Sequence, residues 1–366
     1  MAPVRSGLPT PTFAHRQAVS LAARTTLELG GPAALYTLAR TEADVAKALA
    51  WADRHGVPAL VLGGGSNLVV SDEGFDGLVV EMGLRGVARE GTTVWAAAGE
   101  PWDDLVAATV ARGLVGLECL SGIPGSVGAT PIQNVGAYGR EVSELVAEVR
   151  ALDRATGAVV GLGPEACGFG YRSSRFKRDP AAMVVLSVRF ALGAPGTPVR
   201  IAYPELRARV GGAAPGPAAV RAAVLAIRRA KSMVLERDDP NRRSVGSFFT
   251  NPVVSRELAE RVIARALDEG RVERADQVPC FPVGDQRKLS AAWLIDRAGV
   301  RRGERRGAVG VSSRHTLALV HHGGGSTAEL LALAGAIRDR VCAVFGVELV
   351  PEPTLVGAEL PRRSER

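Results

Sequence analysis

A run of glycines directly after an apolar segment is the first feature of this sequence whose residue types and spacing could do chemistry. The run and the two polar residues after it are Gly63, Gly64, Gly65, Ser66 and Asn67. Consecutive glycines allow positive φ, so several backbone N–H groups can point at one place and bind an anion. The dinucleotide-binding fingerprint is absent because Leu68 stands where it needs glycine, and the sequence has no Gly-Lys pair for a phosphate loop. A plain tight turn is the alternative.

A second stretch, residues 121–139, mixes glycines with small and apolar side chains. It has no helical or strand period, and it is too apolar for a solvated linker. Backbone lying along a large flat ligand explains both facts, and side-chain amides could hydrogen-bond the polar edge of a ring. A buried structural loop is the alternative. The candidate ligand contacts are Gly122, Pro124, Gly125, Ile132, Gln133, Asn134 and Gly136.

Three polar residues stand in settings that could hold a side chain in one place. Arg172 follows a glycine turn, and its permanent charge can grip a carboxylate with two parallel hydrogen bonds. Glu352 lies between two prolines, which hold its backbone extended. Ser247 follows a glycine before two phenylalanines. Each also has an ordinary structural interpretation: Arg172 as a surface arginine in a loop, Glu352 as a solvated glutamate and Ser247 as a turn or capping serine.

The charge balance leaves two classes of ligand open. The 45 basic residues exceed the 38 acidic ones by 7. Basic residues are scattered and only 5% of residues are aromatic, so stacking surfaces for nucleic acid are scarce. A ligand with several phosphates suits the charge as well. The lysines, against a background of arginine, are Lys47, Lys177, Lys231 and Lys288. Lysines kept in such a background could do what arginine cannot.

The cysteines and apolar runs predict a cytoplasmic protein without a metal. None of the 4 cysteines forms a C-x-x-C pair or has a histidine at metal-ligand spacing. We expect buried reduced thiols, with a covalent link to a cofactor as the alternative. No apolar run approaches the ~18 residues of a membrane span, and the N-terminus lacks the apolar core of a signal peptide. We therefore expect no membrane insertion.

Hydrophobic periodicity predicts the elements that would position these residues. Thr41 should cap a helix over 42–55, between strands at 33–39 and 58–62, with a turn at Asp76-Gly77 before a third strand. Strands outnumber helices from 83 onward until a helix over 217–235. Turn-rich residues 238–241 begin a segment with helices over 255–269, 289–298 and 326–345. This order favours an α+β fold.

The two glycine-rich loops together resemble the FAD-binding domain of the vanillyl-alcohol-oxidase type, in which one loop cradles a pyrophosphate and the other lies along the isoalloxazine. Nearly the whole chain is similar to a narrower family, the UDP-N-acetylenolpyruvoylglucosamine reductases. The most specific similar segments are 123–139, 170–174, 246–252 and 291–296.

The resemblance implies a two-lobed FAD-binding domain plus a smaller α/β substrate-binding domain. The first lobe would be 15–82, with 347–360 returning near it; the second lobe would be 83–233, the substrate domain 234–346, and 1–14 and 361–366 flexible tails. It implies non-covalent FAD, NADPH as hydride donor, and UDP-N-acetylglucosamine enolpyruvate as substrate in peptidoglycan precursor synthesis. It implies no nucleic acid and no obligate protein partner.

The same resemblance gives the three polar residues catalytic roles. Arg172 would stabilise the enolate that develops beside the substrate carboxylate, with Glu352 as its partner, and Ser247 would donate a proton to the α-carbon. Some family members carry a basic residue two places after the glutamate; here Thr354 stands there. The substrate contacts implied are Tyr138, Tyr203, Arg228, Lys231, Asn251 and Lys288.

Two other classes of function compete with this reading. An FAD oxidase of the same superfamily acting on a small alcohol would explain the glycine loops but not 246–251 or the Pro-Glu-Pro segment. A basic nucleic-acid-binding protein would explain the charge alone.

Overall fold

The structure is a computed structural model that describes residues 8–212 and 214–363. Contacts between Cα atoms divide the described chain into two compact units. The first unit contains the chain up to Ser20, Pro32–Gly65 and Phe75–Leu235. The second unit contains Leu21–Gly31, Ser66–Gly74 and the chain from Glu236 onward.

The strands and helices alternate irregularly along the chain. The strands are β1 Arg16–Ser20, β2 Pro32–Ala39, β3 Ala59–Leu62, β4 Leu68–Val70, β5 Phe75–Met82, β6 Val87–Glu90, β7 Thr93–Ala97, β8 Gly136–Ala137, β9 Arg140–Glu141, β10 Val146–Asp153, β11 Val159–Leu162, β12 Met183–Ala191, β13 Ser244–Ser247, β14 Val253–Val254, β15 Cys280–Val283, β16 Gln286–Leu289, β17 Arg305–Arg306, β18 Val309–Val311, β19 Ala318–His321 and β20 Thr354–Val356. The helices are α1 Glu42–Arg54, α2 Trp102–Ala111, α3 Pro164–Cys167, α4 Arg175–Arg178, α5 Pro204–Val210, α6 Pro217–Ala230, α7 Arg256–Asp268, α8 Ala291–Arg297 and α9 Thr327–Phe345.

The first unit is built on two sheets. One has the strand order β1-β2-β5-β3, with β2, β5 and β3 parallel. The other is antiparallel, in the order β11-β10-β12-β7-β6. The fully buried Trp102 and Phe190 contact each other in its core, with ring centroids 5.9 Å apart. Burial of such rings supplies much of the apolar area that stabilises a domain.

The second unit contains two small antiparallel sheets, and its longest helix, α9, packs against the first of them. These have the orders β13-β19-β18-β17 and β14-β16-β15. Strand β20 pairs in parallel with β4, with Thr354 opposite Leu68, so the C-terminal segment lies beside the residues that follow the glycine run. Helix α9 begins at a capping box in which Ser326 accepts the N–H of Glu329.

The predicted α+β architecture and most predicted elements are confirmed. Thr41 caps α1 as expected, in a capping box with Asp44. The turn at Asp76-Gly77 is wrong, because both residues lie inside β5. A Cβ on Gly77 would lie 2.2 Å from the Pro58 carbonyl oxygen, so this glycine permits a close strand contact and does not make a turn.

The helix predicted over 217–235 ends early, at Ala230. Ser232 takes a positive φ of 53°, which no α-helix accommodates. The Arg228 guanidinium then donates to the Met233 carbonyl oxygen at 2.5 Å and holds the reversed chain. The chain therefore turns back beside the helix that was expected to continue.

Ordered packing extends into both predicted tails. The Phe13 ring meets Trp51 edge-on, with centroids 5.8 Å apart. The Pro361 carbonyl accepts a hydrogen bond from Arg338 at 2.7 Å. Residues 1–7 and 364–366 of those predicted tails lie outside the described residues. Among the helices that the structure describes, none is long and apolar enough to cross a bilayer.

Candidate active site

The two glycine-rich loops meet in the first unit. Gly63 and Gly64 follow β3 and lie against Gly125 and Ser126 of the second loop. A Cβ on Gly63 would lie 2.6 Å from the Ser126 hydroxyl oxygen, and one on Gly64 would lie 2.8 Å from the Gly125 Cα. At Gly64 a side chain would meet backbone and could not be accommodated without moving the other loop, so bare backbone is a requirement there. At Gly63 rotation of the Ser126 hydroxyl would relieve the contact.

Helix α2 fixes the second loop from behind. The Trp102 backbone N–H donates to the Gly125 carbonyl at 3.0 Å, and its indole N–H donates to the Leu120 carbonyl at 3.1 Å. The Gly122 N–H donates to the Asp103 carboxylate at 2.6 Å. Two consecutive residues of one helix therefore set the path of residues 120–125.

Asp103 also binds the helix on its other side. Arg221 of α6 donates to both carboxylate oxygens, at 2.6 and 2.8 Å. Although burial acts to raise it, the hydrogen bonds from Arg221 and from the Gly122 amide hold the pKa of Asp103 below its ordinary value. A charged Asp103 thus joins the second loop to α6.

A cavity of about 400 Å³ opens where the glycine loops meet. Its lining includes Gly63, Gly64, Gly99, Gly122, Ile123, Pro124, Gly125, Ser126 and the side chains of Glu81, Arg85, Asp103 and Asp104. Backbone approach at the glycines suits a phosphate-bearing ligand, and the carboxylates can accept hydrogen bonds from sugar hydroxyls. This donor and acceptor set fits a dinucleotide such as FAD.

Asn134 organises the remainder of the second loop. Its side-chain amide donates to Glu141 at 2.8 Å and to the Gly170 carbonyl at 3.1 Å, and its oxygen accepts the Ser143 N–H at 3.1 Å. It is 1% exposed, with a positive φ of 46°. Its side chain is therefore committed to the loop itself.

The two residues before Asn134 differ from it in exposure. The Ile132 side chain is exposed, while its carbonyl accepts the Ser174 hydroxyl at 2.5 Å. Gln133 is half-buried.

Arg172 is anchored to this loop by its guanidinium. It donates to the Gly136 carbonyl at 2.7 Å and to the Asn134 carbonyl at 3.5 Å. Its guanidinium carbon lies 5.5 Å from the centroid of the Tyr171 ring. Its φ of 51° lies in the left-handed region, which costs free energy for a side chain of this size and marks a position fixed by its surroundings.

The second unit brings Ser247, Glu352 and Asn67 together through their backbones. The Glu352 N–H donates to the carbonyl of Phe248, the residue after Ser247, at 2.9 Å. The Asn67 amide donates to the Glu352 carbonyl at 3.5 Å, and the Asn67 carbonyl accepts the Thr354 N–H at 3.0 Å. The Pro-Glu-Pro segment is thus fixed against the serine strand β13 and the end of the glycine run.

Four of the predicted substrate residues form one cluster in the first unit. The Tyr138 and Tyr203 rings meet edge-on, with centroids 5.5 Å apart. The Tyr138 hydroxyl is hydrogen-bonded to Arg228. Lys231 follows the last residue of α6 and forms an ion pair with Glu205 at 2.7 Å. The cluster offers two cations and two aromatic rings to a ligand.

Burial dominates the electrostatics of this cluster. It raises the pKa of Tyr138 to about 12, against the opposing charge of Arg228 and with the help of Glu205 and Tyr203. It also lowers the pKa of Arg228, which Tyr138 and Asp103 partly offset. A partly desolvated arginine attracts an anion more strongly than a fully hydrated one.

Asn251 and Lys288 belong to the second unit. The Asn251 side-chain oxygen accepts the Ala291 N–H at 2.9 Å, at the first turn of α8. Lys288 stands in β16, opposite Val253 on one side and Phe281 on the other.

Sequence reasoning missed three residues of these clusters: Asp103, Arg221 and Glu205. Asp103 is one of two acidic residues in the first turn of α2, where carboxylates are common for helix-dipole reasons alone. For Glu205, the one sequence feature that could have pointed to it was its position two residues after Tyr203.

The cysteines take no part in these clusters. All 4 are free thiols, and burial raises the pKa of Cys119 to about 12 and that of Cys167 to about 11. Both therefore stay protonated and unreactive. Within residues 8–212 and 214–363 no group of acidic, histidine or cysteine side chains could hold a metal ion.

Models of two known domain families match this chain, one in its N-terminal half and one in its C-terminal half. Residues 33–163 match the family model described as an FAD binding domain. Residues 238–356 match the one described as the C-terminal domain of UDP-N-acetylenolpyruvoylglucosamine reductase.

Relatives of that name match along most of their length. The one of Nocardia farcinica is 51% identical over 94% of this chain and 90% of its own. The one of Streptomyces coelicolor is 49% identical over 93% and 90%. The crystal structure of the Thermus caldophilus enzyme is 26% identical, with a TM-score of 0.63 over 94% of this chain and 98% of its own. With the FAD binding domain around the glycine loops, the chain belongs to the UDP-N-acetylenolpyruvoylglucosamine reductase family of FAD-containing oxidoreductases.

Proposed function

We propose that the protein uses NADPH and non-covalently bound FAD to reduce UDP-N-acetylglucosamine enolpyruvate to UDP-N-acetylmuramate, in peptidoglycan precursor synthesis in the cytoplasm. One observation carries the proposal furthest: Asp103 bonds both to the Gly122 amide of the glycine cradle and to Arg221 of α6. The same helix carries Arg228 and leads into Lys231. A cofactor cradle and a cationic cluster suited to a diphosphate are thus built on one support.

Bound FAD would supply hydride to the enolpyruvyl methylene carbon after accepting it from NADPH. The chain's own residues must then handle charge and a proton, because negative charge develops beside the substrate carboxylate as that hydride arrives. The Arg172 guanidinium, fixed by the Gly136 carbonyl, stabilises this charge. Its rigidity supports the role, since a preorganised donor needs no reorganisation during the reaction.

Ser247 donates the proton to the α-carbon, and Glu352 helps to polarise the substrate carboxylate. The serine lies at the end of β13, one residue before the carbonyl that accepts the Glu352 N–H. This backbone bond gives the serine and the glutamate a fixed relation within the second unit. A serine hydroxyl is a weak acid, so its role depends on such a positioned charged neighbour or on a water chain.

Tyr138, Tyr203, Arg228 and Lys231 bind the UDP moiety, with the two cations on the diphosphate. Asn251 and Lys288 make further substrate contacts. Residues 15–82 and 83–233 form the two lobes of the FAD-binding domain, and 234–346 the substrate-binding domain. The cofactor contacts are Gly63 to Asn67 and the second loop up to Gly136.

An absorbance spectrum and a coupled assay test this function against its alternatives. The purified protein should be yellow, and should oxidise NADPH beyond the single equivalent that reduces its flavin only when the UDP-linked enolpyruvyl sugar is present. An oxidase would instead bleach its flavin with a small alcohol and without NADPH. A colourless protein that binds DNA would support the nucleic-acid reading.

A further inference from the structure

The Lys231 ammonium is already paired with an acidic residue of its own chain. The Glu205 carboxylate lies 2.7 Å from the Lys231 ammonium; the Glu205 side chain is 44% exposed and the Lys231 side chain 35%. Glu205 stands in the first turn of α5, two residues after Tyr203. Its charge also acts on Tyr138, whose pKa it helps to raise. A negative group therefore stands among the residues assigned to a diphosphate.

The two cations of this cluster cannot neutralise the Glu205 carboxylate and a bound diphosphate at the same time. Arg228 and Lys231 supply two positive charges, and Glu205 cancels one of them. A nucleoside diphosphate brings at least two negative charges to the same cations, so a carboxylate left beside Lys231 would repel it. Lysine, a flexible point charge, can exchange one such partner for another.

We infer that Glu205 is an internal competitor for the anion site: it neutralises Lys231 in the substrate-free enzyme and is displaced when the nucleoside diphosphate binds. This inference rests on the proposed function, which places the diphosphate on Lys231. Glu205 is a positioning residue that lowers affinity for the substrate while the site is empty. It also weakens the binding of small anions with a single charge, because such an anion gains too little binding free energy to offset the loss of the ion pair.

The competition is coupled to the tyrosine pair. Tyr203 precedes α5 directly and its carbonyl accepts the Arg207 N–H at 3.0 Å, so Tyr203 and Glu205 belong to one helical turn. Leu206, between them and the core, is fully buried against α6. An anion that takes Lys231 from Glu205 thus removes one of the contacts that hold this turn beside α6, while the burial of Leu206 keeps the turn and the Tyr203 ring in place near Tyr138.

The test is UDP binding to the FAD-loaded enzyme by calorimetry. Glu205→Gln keeps the shape of the side chain but removes its charge, so UDP should bind about two- to fivefold more tightly than to wild type, the range for a half-exposed ion pair. The KM for the UDP-sugar should fall in parallel. In a Lys231→Met background the same Glu205→Gln change should give no gain, because the glutamine acts only through the lysine.

Glu42→Gln is the matched control. Glu42 lies in the first turn of α1 and pairs with Arg150 at 2.7 Å, with side chains 38% and 42% exposed, and it belongs to the same unit. Removing this charge should leave UDP affinity unchanged. An equal gain in Glu42→Gln would mean that net charge alone is responsible, and would overturn the inference.

The remaining outcomes separate this inference from the proposed function. Wild type that binds UDP, with Glu205→Gln binding equally or more weakly, would show that Glu205 positions Lys231 for the ligand and does not compete with it. That result would overturn the inference and leave the proposed function standing. Wild type that neither binds UDP nor turns over the UDP-sugar would overturn both.

Discussion

The Asp103 carboxylate and the Arg221 guanidinium form a two-bond ion pair, at 2.6 and 2.8 Å, that joins α2 to α6. The same carboxylate accepts the Gly122 amide at 2.6 Å. This pair therefore has two tasks: it stabilises the packing of the helices, and it sets the position of one wall of the proposed FAD cradle.

Asp103→Asn should weaken FAD binding and destabilise the first unit. The variant loses the charge that holds Arg221, at about 1–3 kcal/mol for a charge-assisted hydrogen bond that leaves its partner unmatched. FAD titration of the apoprotein, followed by flavin fluorescence, measures the cofactor effect. Asp104→Asn is the control, because Asp104 lines the same cavity on the same helix turn. Equal losses in both variants would assign the effect to charge at the cavity and not to the pair with Arg221.

The stabilising effect of Asp103 should disappear in acid. Its pKa is lowered in the folded protein, so its contribution is complete above the ordinary aspartate pKa of about 3.9 and is lost as pH falls through the folded value. Denaturant unfolding with FAD in excess should therefore show a gap between wild type and Asp103→Asn at neutral pH that closes below about pH 4. A gap that widens on acidification would contradict a charged Asp103.

Gly64→Val should give colourless protein that remains folded. A Cβ at this position would lie 2.8 Å from the Gly125 Cα, so the larger side chain pushes the two loops apart where FAD must enter. Gly163→Val is the control, since a Cβ there meets nothing within 4 Å. The flavin-to-protein absorbance ratio measures occupancy. Full occupancy in Gly64→Val would mean that the cradle is assigned to the wrong loop.

Lys231→Ala should raise the KM for the UDP-sugar with little change in kcat. Its ammonium would act on a diphosphate remote from the reacting carbons, which is binding and not chemistry. Loss of one charge-assisted hydrogen bond of about 1.5–3 kcal/mol corresponds to roughly a 10- to 100-fold rise. Lys47→Ala, on α1, should behave as wild type. A fall in kcat at unchanged KM would contradict the assignment of Lys231 to the diphosphate.

Ser247→Ala should slow one half of the reaction only. Consumption of NADPH in the absence of the sugar requires no proton at the α-carbon and should keep its wild-type rate. Reoxidation by the sugar should slow by about 10²- to 10⁴-fold, the usual contribution of a positioned general acid. Stopped-flow absorbance follows each half. Equal slowing of both would make Ser247 a structural residue, and no slowing would point to Glu352 as the proton donor.

Local patterns predicted the elements well, because caps and periodicity depend on neighbouring residues. Thr41 accepts the N–H three residues ahead, as its sequence setting indicates, and Ser326, which was predicted as the first residue of a helix, caps α9 in the same way. The turn predicted at Asp76-Gly77 was wrong because the lack of a Cβ in glycine permits both turns and close contacts between strands. The proposed cradle also rests on a local signal, the spacing of glycines.

Long-range partners could not be predicted in the same way. Asp103 and Arg221 are 118 positions apart, and no periodicity connects α2 with α6. Glu205 and Lys231 are 26 positions apart, and no local pattern connects the first turn of α5 with the end of α6. The roles of Arg172, Ser247 and Glu352 came from family resemblance, since each residue type alone fits an ordinary loop.

The most direct test of the central claim is the stoichiometry of the complete reaction under anaerobic conditions. The FAD-loaded enzyme, mixed with limiting UDP-N-acetylglucosamine enolpyruvate and excess NADPH, should consume one NADPH for each sugar. Mass spectrometry should find the sugar converted to a product heavier by two hydrogen atoms, with UDP still attached. NADPH oxidation that continues without the sugar, or a sugar recovered unchanged, would contradict the account.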